Sequence, residues 1–175
     1  KQIIHNEKDF FKKFMKLKNI NEDLSVQTVV YMRGVRPNNK TKSEYLDWHR
    51  ENFYDDFDYI NSQYNMHFPV RNYNIKSSMK IIPLSHNIPD EKIKTVQLDS
   101  KDSGHEKFSR EHKLGLPYYP KKIVSGINFK KAQRVKVKPG EIYLFSPRLI
   151  HGGGDNLSKK TRFSLDFASI ETTRL

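Results

Sequence analysis

Apolar residues recur along this chain in short alternating runs, and only the first segment shows a helical period. Phe10, Phe14 and Leu17 follow i, i+4, i+7 spacing behind Asn6, a good capping residue, so an amphipathic helix is expected from Glu7 to about Lys18. Beyond it the period falls to two. Strands are expected over Ser25–Val35, Leu46–Asn52 and Asn61–Val70, then over Lys80–Pro83, Arg134–Val137, Ile142–Phe145 and Arg162–Ile170. In the third of these, Tyr64, Met66, Phe68 and Val70 alternate with Asn65 and His67. In the last, Arg162, Ser164 and Asp166 alternate with Phe163, Leu165 and Phe167, so one face is polar and the other apolar. Residues 88–119 hold few long apolar runs and read as an insertion or lid. A loop that long in a compact domain is usually functional or mobile. Many short strands after one helical segment, with no internal repeat, favour a barrel-like or sandwich β architecture.

Composition narrows this picture. The 175 residues suit one domain, residues 1–175, with a substantial core. Eleven Phe and nine Tyr argue against disorder. No apolar run approaches the length of a membrane span. The chain has no cysteine, which excludes disulfides and cysteine-ligated zinc or iron–sulfur sites. Its net charge of +12 favours acidic partners, such as a phosphorylated or nucleotide-linked small molecule or a polyanion. A lysine-rich surface of no functional meaning is an equal reading. No helix-turn-helix, zinc-finger or RNA-recognition signature supports nucleic acid.

Candidate chemistry lies in four positions. His49 and Glu51 are two residues apart, so an extended segment points both to one side. His151 follows the apolar run Ile142–Phe145, and Arg162 comes eleven residues after it. Two neutral imidazoles and one carboxylate on one side of a ferrous ion leave positions open for co-substrate and oxygen, the facial triad of non-haem iron oxygenases. Arg162 and Ser164, on one face of their strand, can hold a carboxylate through paired N–H groups and a hydroxyl. The H-x-E triplet alone says almost nothing; the second histidine and the Arg-x-Ser strand give it weight.

The stretch from Pro139 to Asn156, with Ser146-Pro147-Arg148-Leu149-Ile150-His151 followed by three glycines, resembles the distal-histidine segment of the phytanoyl-CoA dioxygenase-like family. Ser78–His86 resembles that family's internal strand ending in a Pro-Gly-Ser-His turn, with Leu84 in place of the glycine. The likeness runs from about Val26 to Ile170. It implies a mainly β, double-stranded β-helix (a jelly-roll or cupin-like barrel), with the N-terminal helix at 1–20 and the lid-like insertion at 88–119 added. It implies Fe(II), with 2-oxoglutarate and O2 as co-substrates. His49, Glu51 and His151 would be the iron and catalytic residues, and Arg162 with Ser164 would hold the far carboxylate of 2-oxoglutarate. His67 or Asn65, on the side that faces the pocket in this family, would touch co-substrate or substrate, and a satisfied structural role is at least an equal reading. The commoner carboxylate ligand is Asp, so Glu51 is one methylene longer. The chain is short for the family and starts with Lys, and a trimmed chain is expected.

A narrower likeness joins Trp48-His49-Arg50-Glu51, Ser85–Asp90, His112–Gly115 and Tyr119–Ile123 to oxygenases of bacterial surface-carbohydrate biosynthesis. It implies a sugar, sugar nucleotide or related substrate. The expected activity is hydroxylation of a C–H bond, in the cytoplasm where the co-substrate is made. Two other classes stay open: a cupin-like sugar-nucleotide isomerase or epimerase, and a non-catalytic basic binding module. Of the other histidines, His86 is expected to organise its turn and His105 and His112 to be solvated. Gly152–Gly154 is expected to let backbone pass close to the pocket, and Asn156 to pin the following loop.

Overall fold

The computed structural model describes residues 24–26, 31–37, 48–51, 64–97, 121–152 and 154–171. The helix expected at 7–18, the polar loop at 38–42 and most of the 88–119 insertion lie outside the described residues. Within them the chain is mainly β, with ten strands and three short 3-10 turns. No helix of the described residues is long and apolar enough to cross a membrane.

The longest alternating run makes the central strand, β10 (Arg162–Glu171). On one side it pairs antiparallel with β1 (Leu24–Val26) and β2 (Tyr31–Val35). On the other it pairs with β3 (Tyr64–Arg71), which pairs in turn with β8 (Tyr143–Phe145). The register of β3 slips where Phe163 faces Arg71 but Ser164 faces Pro69, leaving Val70 as an extra residue. Pro69 has no N–H to give to a ladder, and an irregularity of this kind is where a strand tolerates it.

A second sheet holds β4 (Lys80–Ile81) between β7 (Gln133–Arg134) and β9 (His151–Gly152). β5 (Lys94–Gln97) and β6 (Lys121–Ser125) form a separate antiparallel ribbon. No strand pairing closes the three sheets on one another among the described residues.

Side chains join them instead. Tyr73, Met79, Val135 and Val137 are buried with Ile81, Tyr143 and Phe145, linking the first two sheets. Ile82, Ile93, Ile123 and Ile150 are buried with Trp48 and Ile88, linking the second sheet to the ribbon. Each such side chain contributes about 1.5–3 kcal/mol by leaving water. Ile88, Ile93 and β5 belong to the start of the expected insertion, where Ile88 and Ile93 pack on the body of the fold and β5 pairs with β6.

Two strand expectations change. Of Ser25–Val35, the described residues pair with β10 in two stretches of different register, Val26 facing Ser169 and Tyr31 facing Asp166. Leu46–Asn52 is described only at 48–51, where His49 makes a single β-bridge with His151. The segment is held by that bridge, by Glu51 N–H donating to the Pro147 carbonyl (3.0 Å) and by Ile123 N–H donating to the Trp48 carbonyl (3.1 Å).

Candidate metal centre

The His49–His151 bridge brings residues a hundred apart in sequence side by side. Their rings lie 4.3 Å apart, and both are buried. Glu51 points to the same place: its Oε1 is 3.4 Å from His49 Nε2 and 3.2 Å from His151 Nε2. The ligand atoms of the three residues lie within 4.8 Å of one another. Donors about 2.1 Å from one ion, on adjacent coordination positions, stand about 3 Å apart, so the cluster has the size of a metal site.

Its chemistry fits as well. His151 Nδ1 lies 2.9 Å from the Leu149 carbonyl. A carbonyl only accepts, so Nδ1 carries the hydrogen, and in the neutral ring Nε2 presents a lone pair to the Glu51 oxygen. Two lone pairs so close need a cation or a proton between them. Burial alone would raise the Glu51 pKa. The hydrogen bonds and charges of His151 and His49 outweigh it and hold the carboxyl well below the usual carboxylate range. Phe145 meets His151 edge-on at 4.8 Å and closes one side of the ring.

On the facing sheet the polar side of β10 is the buried side. Arg162 is 2% exposed and Ser164 is fully buried. Among the described residues, Arg162 Nε and Nη1 and Ser164 Oγ have no hydrogen-bond partner. Burial pushes the Arg162 guanidinium down from its ordinary pKa. Buried donors without acceptors carry a large desolvation cost, and a cradle for a carboxylate is the arrangement that removes it. The guanidinium lies over the Tyr73 ring, 5.5 Å from its centre.

His67 and Asn65 point into the same interior, from β3. Both His67 ring nitrogens are engaged, Nδ1 by Asp166 and Nε2 by the Tyr73 hydroxyl at 2.8 Å. The Tyr73 hydroxyl also accepts from Met79 N–H at 3.0 Å, and burial raises its pKa to about 12. Asp166 in turn accepts from Arg33 Nε at 2.6 Å. His67 therefore sits in a network beneath Arg162. Asn65 differs: its Nδ2 is buried with no partner among the described residues.

The glycine and asparagine expectations can be placed. A Cβ on Gly154 would stand 2.6 Å from the Ser78 carbonyl oxygen, so the close approach at this glycine is to the Ser78 backbone. Asn156 is fully buried and donates to the Val35 and Lys160 carbonyls, both at 2.8 Å. In the 83–86 turn, Ser85 is the organiser: its Oγ accepts from Ile150 N–H at 2.7 Å. His86 contributes a carbonyl that faces Arg148 Nε at 3.5 Å. His105 and His112 lie outside the described residues. Sequence reasoning passed over Tyr73, Arg50 and Asp90. The signal for Arg50 was present, because the middle residue of an extended H-x-E points away from the metal and a charge there needs a partner.

A mainly β fold that gathers two imidazoles and a carboxylate, and buries an arginine on the sheet packed against theirs, fits a non-haem iron enzyme. The chain belongs to the phytanoyl-CoA dioxygenase (PhyH) family, whose signature matches residues 4–164. Family and triad agree on the cofactors, Fe(II) with 2-oxoglutarate and O2. No curated protein matches the chain by sequence. Among solved structures, it is similar in fold to EvdO2 from Micromonospora carbonacea var. aurantiaca, complexed with 2-oxoglutarate. That match has a TM-score of 0.59 at 12% identity and covers 92% of this chain and 58% of that one. The non-heme monooxygenase ThoJ matches with TM-score 0.56 and 15% identity, over 85% of this chain and 47% of that one. SnoK, a non-heme alpha ketoglutarate dependent carbocyclase from nogalamycin biosynthesis, matches with TM-score 0.52 and 12% identity, over 85% and 50%. The chain thus spans about half the length of these structures.

Proposed function

We propose that this chain is an Fe(II)- and 2-oxoglutarate-dependent oxygenase that hydroxylates a C–H bond of a small, anionic or sugar-linked substrate. His49, Glu51 and His151 hold the iron. Arg162 and Ser164 hold the far carboxylate of 2-oxoglutarate, and Asn65 Nδ2 is a further donor to co-substrate or substrate. The sheets on either side of this site are, on this reading, the two halves of a double-stranded β-helix within a single domain. The observation that carries the proposal is a metal-sized His–Glu–His cluster together with buried donors that have no partner among the described residues, on the sheet joined to it through the Tyr73, Met79 and Val135 core.

Iron held there with 2-oxoglutarate and O2 would supply an oxidation that puts one oxygen atom into a C–H bond and the other into succinate, with release of CO2. The residues bind and orient. Glu51, the one carboxylate among the three ligands, would balance part of the metal charge. Leu149, by accepting from His151 Nδ1–H, fixes the tautomer that points Nε2 inward. Arg162 and Ser164 set the direction of the co-substrate, while Phe145, Ile81 and Met79 line an apolar interior that excludes water. His67 supports Tyr73 beneath Arg162 and acts on the co-substrate through that network. The net charge of +12 supports an anionic substrate, and the likeness in fold to SnoK, a carbocyclase from nogalamycin biosynthesis, supports a small molecule.

Anaerobic titration with Fe(II) and then 2-oxoglutarate tests the proposal. The expected result is a visible charge-transfer band in wild type that is lost in His151→Ala. Arg162→Ala should keep the band and raise the 2-oxoglutarate Kd at least about tenfold, the worth of a charged hydrogen bond. A wild-type protein that binds no iron would favour the non-redox isomerase.

A further inference from the structure

Arg50 stands between the two proposed ligands His49 and Glu51 and is fully buried, on the side away from them. Its guanidinium donates from Nη1 to Asp90, and from Nη2 to the Ser85 and Ile88 carbonyls. Those two carbonyls bracket the 3-10 turn Ser85–Asn87. The other oxygen of Asp90, Oδ2, lies 3.9 Å from Arg148 Nη2. Arg148 is three residues before His151, in the segment whose Pro147 carbonyl receives the Glu51 N–H. Ser85, at the start of the same turn, accepts from Ile150 N–H, next to His151. Both ligand segments are therefore fastened from behind to one short turn, and one carboxylate faces a cation from each.

We infer that Arg50 and Asp90 are positioning residues, and that Asp90, shared by Arg50 and Arg148, sets the spacing of the His49–Glu51 and His151 segments and with it the affinity for metal. The inference rests on the iron site proposed above. Its physical basis is charge. Arg50 and Arg148 reach the two oxygens of the one Asp90 carboxylate, so their like charges stand close together. Without the carboxylate between them, two guanidinium groups on the two ligand segments repel, and the buried Arg50 loses the charged partner it has among the described residues. Groups that orient metal ligands from outside typically change metal affinity 10- to 100-fold when removed. Arg50 contacts three acceptors through a planar fork that Lys cannot reproduce.

The test measures the Fe(II) Kd anaerobically, together with thermal stability, for wild type, Asp90→Asn, Asp90→Glu and Arg50→Lys. Asp90 is half-buried at its turn, so Asp90→Asn is the variant expected to fold. Its Fe(II) Kd should rise about tenfold or more, while the 2-oxoglutarate Kd at saturating iron stays within about twofold. Asp90→Glu, which keeps the charge, should recover most of the loss, and Arg50→Lys should not. An Fe(II) Kd within about twofold of wild type in Asp90→Asn, however far stability drops, overturns the inference and leaves the iron site standing. A wild-type chain that binds no iron overturns both.

Discussion

Burial over Tyr73 lowers the Arg162 pKa, opposed by Tyr73 and then by Asp166, which also accepts from Arg33 and from His67. Burial alone would raise the Asp166 pKa. The hydrogen bond from His67, then the charge of Arg33, outweigh it and lower the carboxyl from 3.8 to about 2. Because the folded value lies below the unfolded one, this stabilisation is present above pH 4 and fades as pH falls toward 2. Its size is about 2 kcal/mol at neutral pH, since one pKa unit corresponds to ~1.4 kcal/mol. Asp166→Asn should therefore lower the urea-unfolding free energy at pH 7 by that order. It should also flatten the loss of stability between about pH 4 and 2 that wild type shows. An unchanged acid limb would mean that other carboxylates carry it. His67 shows the same logic in reverse. Its place on the polar side of β3 was legible, but its engagement by Asp166 and Tyr73 was not, because Tyr73 lies in a loop that no alternation marks.

Strands long enough to show alternation were legible: β10 and β3 stand close to where their patterns placed them. What alternation did not show is which face is buried. Arg162 and Ser164 lie inside, so the polar face of β10 lines the interior. The two-residue strands β4, β7 and β9 are too short to have a period, and are fixed by pairing with one another. The candidate site was legible because a metal demands particular side chains. The clamp of Arg50 and Asp90 was not, because it joins residues forty apart with no pattern between them. Between β4 and the Ser85 turn, Leu84 adopts φ 61°, the left-handed region, with its side chain 72% exposed. A Cβ in that region costs about 1–2 kcal/mol, and an exposed side chain recovers little of it. Leu84→Gly removes the strain but loosens the unfolded chain, so a net gain of up to about 1 kcal/mol is expected. Chemical unfolding would read it. A loss of stability would show that Leu84 is held by contacts that outweigh its backbone.

At the scale of the molecule, the proposed site is split between sheets. His151 belongs to the three-stranded sheet and is bridged to His49, whereas Arg162 and Ser164 belong to the five-stranded one. No strand pairing joins these sheets among the described residues; the interior cluster around Tyr73, Met79 and Val135 does. A co-substrate held by the metal at one end and by Arg162 at the other would add a further connection between them. 2-Oxoglutarate should then stabilise the fold much more with Fe(II) than without, because only the metal-bound form has both ends engaged. At a hundred times its Kd a ligand adds about 2.7 kcal/mol, or on the order of 5–10 °C in Tm for a domain of this size. Pyruvate has the keto acid but no far carboxylate. At equal concentration under anaerobic Fe(II) it should give a clearly smaller rise in wild type, and Arg162→Ala should bring the two keto acids level. If pyruvate and 2-oxoglutarate raise the wild-type Tm equally, the far carboxylate does not reach Arg162 and Ser164. Their buried donors would then have to be satisfied by some other group.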